Sequence, residues 1–198
     1  MSRRLLIATG NAGKQREFRR LLGHLPADLV TPDEIGLALE VDEPHSTYAE
    51  NAAVKADAFA RASGLLSLAD DSGIEVAALD WGPGVRSARW GRRDGLDADR
   101  LVDAVQDATD RRARMVCALA IGIPGPGQAK VEVFMGLMEG SLARERRGVG
   151  GFGYDPVFLT AEGLTTAELP EAEKDRFSHR GQAVAVATPR LLELLAAQ

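Results

Sequence analysis

The sequence predicts an α/β protein in which strands and helices alternate in the first half and a β-rich stretch follows in the second. Three patterns support this class. Short apolar runs that end in turn residues alternate with helix-forming segments up to about residue 108, two long β-like stretches follow, and a long helical pattern comes last. The 198 residues, of which 45% are hydrophobic, suit one globular domain or two closely packed lobes. We therefore expect one domain over residues 1–198, built as two lobes.

The first elements are a short buried strand and a helix. Leu5 to Ala8 is an apolar run, and the turn residues Thr9-Gly10-Asn11 follow it directly. An apolar run that stops at turn residues predicts a buried strand and then a loop. The next segment predicts a helix over about 13–22, with Phe18, Leu21 and Leu22 on its inner face.

A second helix begins at a capping box. Thr47 is followed three residues later by Glu50, a pattern in which each side chain bonds the backbone N–H of the other residue. This predicts a helix that continues to about Ala62. Leu65 to Ala69 then predicts a second buried strand, and we expect Asp70-Asp71-Ser72-Gly73 to end it in a turn.

The second half is predicted to hold two neighbouring strands between two helices. The patterns indicate a helix over 97–108, strands over 113–123 and 129–138, and a last helix over 181–196 that Pro189 kinks. The turn segment Pro124-Gly125-Pro126-Gly127 separates the two strands, as in a hairpin.

Composition narrows the classes of function. The net charge of −5 argues against a protein that coats DNA or RNA, but it is compatible with a small phosphorylated ligand. Cys117 is the only cysteine, which excludes a disulfide within the chain and a cysteine-based metal cage, and its apolar neighbours predict a buried free thiol. No segment approaches the roughly 20 apolar residues that span a bilayer. We therefore expect a cytoplasmic protein.

The turn after the first strand is a candidate anion site. Thr9-Gly10-Asn11-Ala12-Gly13-Lys14 leads from a strand end into a helix whose first turn carries the lysine. Free backbone N–H groups and the helix dipole favour an anion there, and the lysine adds a full charge. The segment is not a Walker A loop, because the GxxxxGK[ST] spacing is absent and Gln15 replaces Ser or Thr. Phosphate binding and an ordinary turn with a surface lysine both fit this segment.

Two acidic pairs are candidate metal ligands. Asp70-Asp71 follows an apolar strand, and adjacent carboxylates repel each other unless a cation or a donor compensates. Carboxylate oxygens suit Mg²⁺, which is usually held by one or two carboxylates together with substrate phosphates. Asp42-Glu43 lies just before the capped helix and could share the same metal. A solvated acidic turn and an ordinary surface pair are the respective alternatives.

Two later segments carry groups that suit a nucleobase. Gly148-Val149-Gly150-Gly151-Phe152-Gly153 has the spacing G-x-G-x-x-G, but an extended segment follows it instead of a helix, which excludes a dinucleotide-binding fold. Its glycines let the backbone approach a flat group, with Phe152 available for stacking and Asp155 for accepting hydrogen bonds. His179-Arg180 could donate to a carbonyl oxygen of a base, and Ser178 fits a helix N-cap. A capped helix with exposed polar residues is the alternative.

Together these segments resemble one family, the Ham1-like inosine/xanthosine triphosphate pyrophosphatases. They occur in the family's order and spread across nearly the whole sequence, which makes the match specific. The matching segments are Thr9-Gly10-Asn11-x-x-Lys14, Glu50-Asn51-Ala52-x-x-Lys55-Ala56, Ala69-Asp70-Asp71-Ser72-Gly73, Pro83-Gly84-x-x-Ser87-Ala88-Arg89, Gly150-Gly151-Phe152-Gly153-Tyr154-Asp155-Pro156 and Ser178-His179-Arg180-Gly181.

The resemblance implies an elongated mixed β-sheet with flanking helices, two lobes around a central cleft, and a homodimer. It implies Mg²⁺-assisted hydrolysis of ITP, dITP or XTP to the monophosphate and pyrophosphate. Asp71 would be the catalytic carboxylate that orients or deprotonates the attacking water, and Asp42, Glu43 and Asp71 would form the metal shell. The residues implied to bind substrate are Thr9, Gly10, Asn11, Lys14, Lys55, Ser72, Phe152, Gly153, Tyr154, Asp155, Lys174, His179 and Arg180.

Within that set, the triphosphate would be bound by Thr9, Asn11, Lys14 and Lys55. The nucleobase pocket would be formed by Phe152, Asp155, Lys174, His179 and Arg180. Pro44-His45 stands where the family often has a glycine, so the choice between Asp42 and Glu43 stays open, as does the preferred substrate among the three. Arg86 replaces a common aromatic residue.

Two other functions stay open. The first is a Maf-like pyrophosphatase that acts on pyrimidine or modified nucleotides. The second is a nucleotide-binding sensor without turnover.

Overall fold

The computed structural model describes residues 3–90 and 97–197, which form strands and helices in alternation. The β-strands are β1 (Arg4–Ile7), β2 (Asp28–Val30), β3 (Leu66–Val76), β4 (Gly82–Pro83), β5 (Arg112–Ile123), β6 (Lys130–Leu142) and β7 (Phe158–Leu159). The α-helices are α1 (Ala12–Leu22), α2 (Tyr48–Ser63), α3 (Ser87–Trp90), α4 (Asp97–Ala104), α5 (Glu171–Phe177) and α6 (His179–Ala196).

The strands form one mixed sheet. Its order in the described part of the chain is β2-β1-β3-β5-β6-β7, with β4 paired to β3. β1 runs parallel to β2 and to β3, so that Leu5 lies opposite Leu29 on one side and Leu66 on the other. β4 runs antiparallel to β3, and β7 runs antiparallel to β6. Parallel strands joined through helices, followed by antiparallel pairs, confirm the α/β class with a mixed sheet.

The chain divides into two compact units. The first contains the residues up to Asp71, Cys117–Gly136 and the residues from Arg180 onward, and the second contains Ser72–Val116 and Leu137–His179. Each unit has its own hydrophobic core. The chain passes from one unit to the other within β3, β5 and β6, so these strands contribute residues to both cores.

The core of the first unit lies between the sheet and helices α1 and α6. Alternate residues of β1, β3 and β5 enter it, and α6 contributes side chains three and four positions apart. Phe18 and Leu22 of α1 are fully buried there, as predicted. A Cβ atom at Gly122 would lie 2.2 Å from the carbonyl oxygen of Ala56, so α2 packs closely against β5. The strand and α6 residues of this core are Leu5, Ile7, Leu66, Leu68, Cys117, Leu119, Ile121, Ala183, Val184, Ala187, Leu191 and Leu195.

The core of the second unit gathers α4 against residues of three long strands. Leu101 and Val105 from the helical segment are buried, together with Ile74 and Val76 of β3. Its remaining buried residues are Ala98, Ala113, Met115, Met138, Leu142, Val157 and Phe158.

The predicted start of α2 is confirmed, with Thr47 as its N-cap. The Thr47 hydroxyl accepts a hydrogen bond from the Glu50 backbone N–H at 3.3 Å and donates to the Glu50 carboxylate at 2.6 Å. α2 ends at Ser63, and Gly64 caps it in the left-handed conformation, with its N–H donating to the Ala60 carbonyl. The predicted strands over 113–123 and 129–138 are also confirmed, as neighbours in the sheet.

The predicted turn at Asp70-Asp71-Ser72-Gly73 is wrong. β3 continues through this segment as one strand of 11 residues, and Asp70 and Asp71 are 1% and 6% exposed. The interpretation as a solvated acidic turn is therefore wrong as well. These residues are common in turns, but here Lys14 and Arg180 neutralise the buried Asp70 carboxylate, so the segment continues as a strand.

Other boundaries differ from prediction by a few residues. α4 ends at Ala104 instead of residue 108, and α6 begins at His179 instead of residue 181. β2, α3 and α5 were not predicted. α6 continues as one helix through Pro189, and the kink expected there stays a prediction. None of the helices in the described part of the chain is long and apolar enough to span a membrane.

Candidate functional site

The turn between β1 and α1 is stabilised by its own side chains. Asn11 caps α1, since its Oδ1 accepts from the Lys14 backbone N–H at 3.0 Å. The Thr9 hydroxyl oxygen accepts from the Asn11 N–H at 3.2 Å, and Gln15 Nε2 donates to the Thr9 carbonyl at 2.7 Å. Gly10 and Asn11 are exposed. The turn therefore presents the N-terminus of an 11-residue helix to solvent, where its dipole favours an anion.

Asp70 forms ion pairs with two cationic side chains of the first unit, Lys14 and Arg180. Its Oδ2 lies 3.0 Å from Lys14 Nζ and 3.1 Å from Arg180 Nη2. Arg180 also forms an ion pair with Glu17, and it is only 2% exposed. Burial alone would raise the pKa of Asp70, but the charges of Lys14, Arg180 and Lys55 outweigh burial and hold that pKa well below its usual range. Asp70 is therefore a buried carboxylate that stays ionised.

Lys55 links Asp70 to the acidic pair before α2. Its Nζ lies 2.5 Å from Glu43 Oε1 and donates to the carbonyl oxygen of Asp70 at 2.5 Å. The Glu43 side chain is 27% exposed and the Lys55 side chain 14%. Asp42 is exposed, and Glu43 is only partly so. Of the two acidic residues, it is Glu43 that lies with the lysine.

Asp71 is held by an amide and not by a lysine. Asn51 Nδ2 donates to Asp71 Oδ2 at 3.0 Å. Burial raises the pKa of Asp71 above its ordinary value, with Glu43 acting in the same direction, while the Asn51 hydrogen bond and the charge of Lys55 oppose the rise. A carboxylate with a raised pKa is a better base than an ordinary aspartate.

A divalent cation fits the oxygen atoms of this region. Glu43 and Asp71 are carboxylates close enough for the charge of one to act on the other. Asp70 Oδ1 is buried and has no hydrogen-bond partner among the described residues. Within those residues no three His, Cys, Asp or Glu side chains gather into a metal cage. Mg²⁺ does not require one, because phosphates and waters supply its remaining ligands.

The second unit contains a separate buried cluster around Asp155. Its Oδ2 accepts from Lys174 Nζ at 2.6 Å and from the Phe152 backbone N–H at 2.7 Å, and its Oδ1 accepts from the Thr166 hydroxyl at 2.8 Å. Lys174 Nζ also lies 5.6 Å from the centre of the Phe152 ring, within cation–π distance. Asp155 therefore holds the backbone of Phe152 and the ammonium of Lys174, the two residues that the family resemblance implies as nucleobase contacts.

The glycine-rich loop passes directly over this carboxylate. Gly151 has a φ of +68°, and a Cβ atom there would lie 2.0 Å from Asp155 Oδ2, so only glycine fits. Gly153 is exposed, and the Tyr154 hydroxyl donates to the Ser87 carbonyl at 2.8 Å. The loop is thereby fixed at both ends, with Phe152 partly exposed between them.

The structure divides the predicted site residues between the two units. Thr9, Gly10, Asn11, Lys14, Glu43, Lys55 and Asp71 lie in the first unit, whereas Ser72, Phe152, Gly153, Tyr154, Asp155, Lys174 and His179 lie in the second. Arg180 was grouped with the nucleobase contacts, but its contacts in the first unit are with Asp70 and Glu17. Ser72 is partly buried and His179 is buried.

Sequence reasoning missed three residues of these clusters. Glu17 and Thr166 are polar residues that are 4% and 1% exposed, and Asn51 is 1% exposed. Asn51 had a detectable signal, since it lies four positions before Lys55 and therefore on the same helix face. Glu17 and Thr166 carried no signal, because their partners are 163 and 11 residues away in sequence.

A mixed α/β sheet with buried carboxylates and two lysines beside a helix N-terminus defines a class, the proteins suited to bind a metal-bound polyphosphate. Comparison with known families then gives the particular group. The chain belongs to the Ham1 family, whose model matches residues 5–189. The resemblance found in the motifs is therefore confirmed over nearly the whole chain.

Individual relatives agree in sequence and in structure. A dITP/XTP pyrophosphatase of Parasynechococcus marenigrum (strain WH8102) is 43% identical over 197 residues, which cover 99% of this chain and 98% of that relative. A HAM1 protein from Coxiella burnetii superposes with a TM-score of 0.84 at 35% identity, covering 96% of this chain and 99% of that one. A nucleoside-triphosphatase / dITP/XTP pyrophosphatase from Mycobacterium abscessus superposes with a TM-score of 0.71 at 39% identity, covering 95% and 99%.

Proposed function

We propose that this chain is a pyrophosphatase that hydrolyses the non-standard purine nucleoside triphosphates ITP, dITP and XTP to the monophosphate and pyrophosphate. The names of its relatives point to dITP and XTP. The observation that carries the proposal is the pair of lysines in the first unit, since Lys14 contacts the Asp70 carboxylate from the first turn of α1 and Lys55 contacts the Asp70 carbonyl oxygen and Glu43. A triphosphate needs cations of this kind, and a divalent metal needs the carboxylates.

The reaction is a displacement at phosphorus. A water oxygen attacks the α-phosphorus, the bond from that phosphorus to the oxygen bridging to the β-phosphorus breaks, and pyrophosphate leaves. Asp71 orients the water and accepts its proton. Support for this role comes from its burial and raised pKa, which suit a base. Lys14, Lys55 and the helix N-terminus stabilise the negative charge that builds on the leaving pyrophosphate.

Triphosphate pyrophosphatases generally need a divalent metal, and we assign Mg²⁺ to Glu43 and Asp71. Held by these two carboxylates, Mg²⁺ would neutralise charge on the phosphate oxygens and polarise the phosphoryl group. Asp42, the other acidic candidate, is exposed and lies outside the lysine contacts, so we give it no direct ligand role. Thr9, Gly10 and Asn11 donate to phosphate oxygens through the turn that opens α1.

The second unit supplies groups for the purine base. Phe152 stacks on the ring, and Lys174 and His179 are the candidate donors to the 6-oxo group that ITP, dITP and XTP share. A donor facing that position accepts an oxo group and is left unpaired by the 6-amino group of ATP, which gives strong discrimination. Asp155 holds Phe152 and Lys174 in place, since its carboxylate accepts hydrogen bonds from the Phe152 backbone N–H, the Lys174 ammonium and the Thr166 hydroxyl.

The test is pyrophosphate release from ITP, dITP, XTP, GTP, ATP, TTP and UTP with Mg²⁺, repeated with EDTA. We expect fast release from ITP, dITP and XTP and none after chelation. Release chiefly from TTP or UTP would favour the Maf-like function. Tight ITP binding without release from any nucleotide would favour the sensor.

Two further expectations from the sequence are kept as proposals: a homodimer and a cytoplasmic location. Light scattering after size-exclusion chromatography tests the first, with a mass of about twice the 21.1 kDa of one chain expected. Fractionation of the source cells tests the second.

A further inference from the structure

The side chain of Asn51 on α2 makes three hydrogen bonds to residues outside its own helix. Its Oδ1 accepts from the His45 backbone N–H at 3.0 Å, and its Nδ2 donates to the His45 carbonyl at 3.3 Å and to Asp71 Oδ2 at 3.0 Å. Asn51 is 1% exposed. One buried carboxamide therefore uses its oxygen and both of its N–H groups to join three parts of the first unit: the segment before α2, α2 itself and β3.

The orientation of this carboxamide is fixed by its partners. If the amide were turned over, its NH₂ group would face the His45 N–H and its oxygen would face both the His45 carbonyl and the Asp71 carboxylate. All of those contacts are repulsive, so a single orientation is stable. The N–H that points at Asp71 is therefore held there by the two hydrogen bonds to His45.

The hydrogen bonds of Asn51 to His45 also restrain the backbone close to Glu43. Glu43 is two residues before His45, so a clamp on the His45 backbone limits the positions that Glu43 can reach. Lys55, four residues after Asn51 on the same helix face, lies 2.5 Å from Glu43. One face of α2 thus holds the backbone next to Glu43 through Asn51 and the side chain of Glu43 through Lys55.

We propose that Asn51 is the positioning residue that locks Glu43 and Asp71 into one arrangement, so that a divalent cation meets both carboxylates already in place. This rests on the proposed function, because Glu43 and Asp71 are its assigned metal ligands. Residues that orient metal ligands typically change metal affinity or activity 10- to 100-fold when they are replaced.

The experiment compares the full-length protein with two variants. Asn51→Leu keeps the number and the branching of the side-chain heavy atoms and removes all three hydrogen bonds. Ser63→Ala is the matched control, because it removes two hydrogen bonds of a hydroxyl at the far end of the same helix, one to the Phe59 carbonyl and one from the Leu65 N–H. Two quantities are measured: Mn²⁺ binding without nucleotide, by loss of the free-ion electron paramagnetic resonance signal, and the Mg²⁺ concentration that gives half-maximal pyrophosphate release from ITP.

We expect Asn51→Leu to weaken both the binding of Mn²⁺ and the activation by Mg²⁺ at least about 10-fold, and Ser63→Ala to change neither. Normal Mn²⁺ affinity and normal half-activation in Asn51→Leu would overturn the proposal. If Asn51→Leu does not fold, Asn51→Ser is measured in its place, with the same expectation. A wild-type protein that binds Mn²⁺ but releases no pyrophosphate would contradict the proposed function, while the Mn²⁺ comparison would still decide the role of Asn51.

Discussion

Each unit of the molecule buries a lysine beside an aspartate, but the two pairs are completed differently. In the second unit Lys174 lies 2.6 Å from Asp155, and the side chains are 6% and 4% exposed. Both oxygens of Asp155 accept hydrogen bonds there. In the first unit Lys14 lies 3.0 Å from Asp70, with the lysine 16% exposed. Asp70 Oδ1 has no hydrogen-bond partner in the part of the chain that the structure describes.

The difference indicates that the Asp155 cluster is a rigid structural framework, whereas the cluster around Asp70 and Asp71 can bind a ligand. The Asp155 cluster is satisfied within the unit, so its geometry is fixed before any ligand arrives. In the first unit Lys14 and Lys55 are partly exposed, so under the proposed function a triphosphate takes up these two lysines while a metal takes up the carboxylates. We therefore expect the loss of Asp71 to act chiefly on catalysis and the loss of Asp155 to act chiefly on stability.

The largest effect should come from Asp71→Asn. The amide keeps the shape of the side chain but cannot accept a proton, so kcat for ITP should fall about 10²- to 10⁴-fold, the usual contribution of a general base. Unfolding by urea should be nearly unchanged, because Asp71 neutralises no buried lysine directly. Steady-state kinetics measures the first quantity. A variant with near-normal kcat would show that Asp71 is not the base.

The second largest effect is on stability and should come from Asp155→Asn. Asp155→Asn leaves the Lys174 ammonium buried beside a neutral amide, and breaking a buried ion pair from one side typically costs about 3–5 kcal/mol of the free energy of unfolding. Urea denaturation measures this loss. The control is Asp99→Asn, which removes an exposed pair with Arg146 at 3.4 Å and should cost less than about 1 kcal/mol. Equal losses in the two variants would contradict a closed framework around Asp155.

The comparison also shows how far the sequence could predict the fold. Local signals were sufficient where a helix or strand depends on its own residues. The helix start at Thr47 and the strands β5 and β6 are confirmed, because their hydrogen bonds and periodicity are local. The predicted turn at 70–73 was wrong for the opposite reason. Its residues form a strand because distant cations, among them Arg180, neutralise the carboxylates.

The candidate sites follow the same rule. Segments such as Thr9 to Lys14 and Gly150 to Pro156 were identified because their members are consecutive and match a family pattern. Thr166 was not, because nothing local distinguishes a threonine that bonds a buried carboxylate from one that only packs in a core. The partners of such residues become visible only when the chain has folded.

Thr166→Val separates those two kinds of threonine. The Thr166 hydroxyl donates to Asp155 Oδ1 at 2.8 Å, so valine should lower the free energy of unfolding by about 1–2 kcal/mol. Thr160 provides a control in the same unit, since its hydroxyl is buried without a hydrogen-bond partner among the described residues. Thr160→Val should therefore be neutral or slightly stabilising. Urea denaturation of both variants measures the difference, and equal effects would refute the role given to Thr166.

The smallest effect concerns Cys117 in the core of the first unit. Burial, and then the negative charge of Asp70, raise the pKa of its thiol to about 12 from an ordinary value of 9.0. Above pH 9 the unfolded chain loses this proton and the folded chain keeps it, so the thiol's contribution to stability is present below pH 9 and is lost as the pH rises toward 12.

Each pH unit in that window removes about 1.4 kcal/mol. The wild-type protein should therefore lose about 1 kcal/mol more than Cys117→Ala between pH 8 and pH 10, as measured by urea denaturation at both values, because the alanine variant lacks the titrating group. Other lysines and tyrosines titrate equally in the two proteins and cancel. Parallel loss of stability in both would show that the thiol ionises in the folded state as readily as in the unfolded chain, and hence that burial does not raise its pKa.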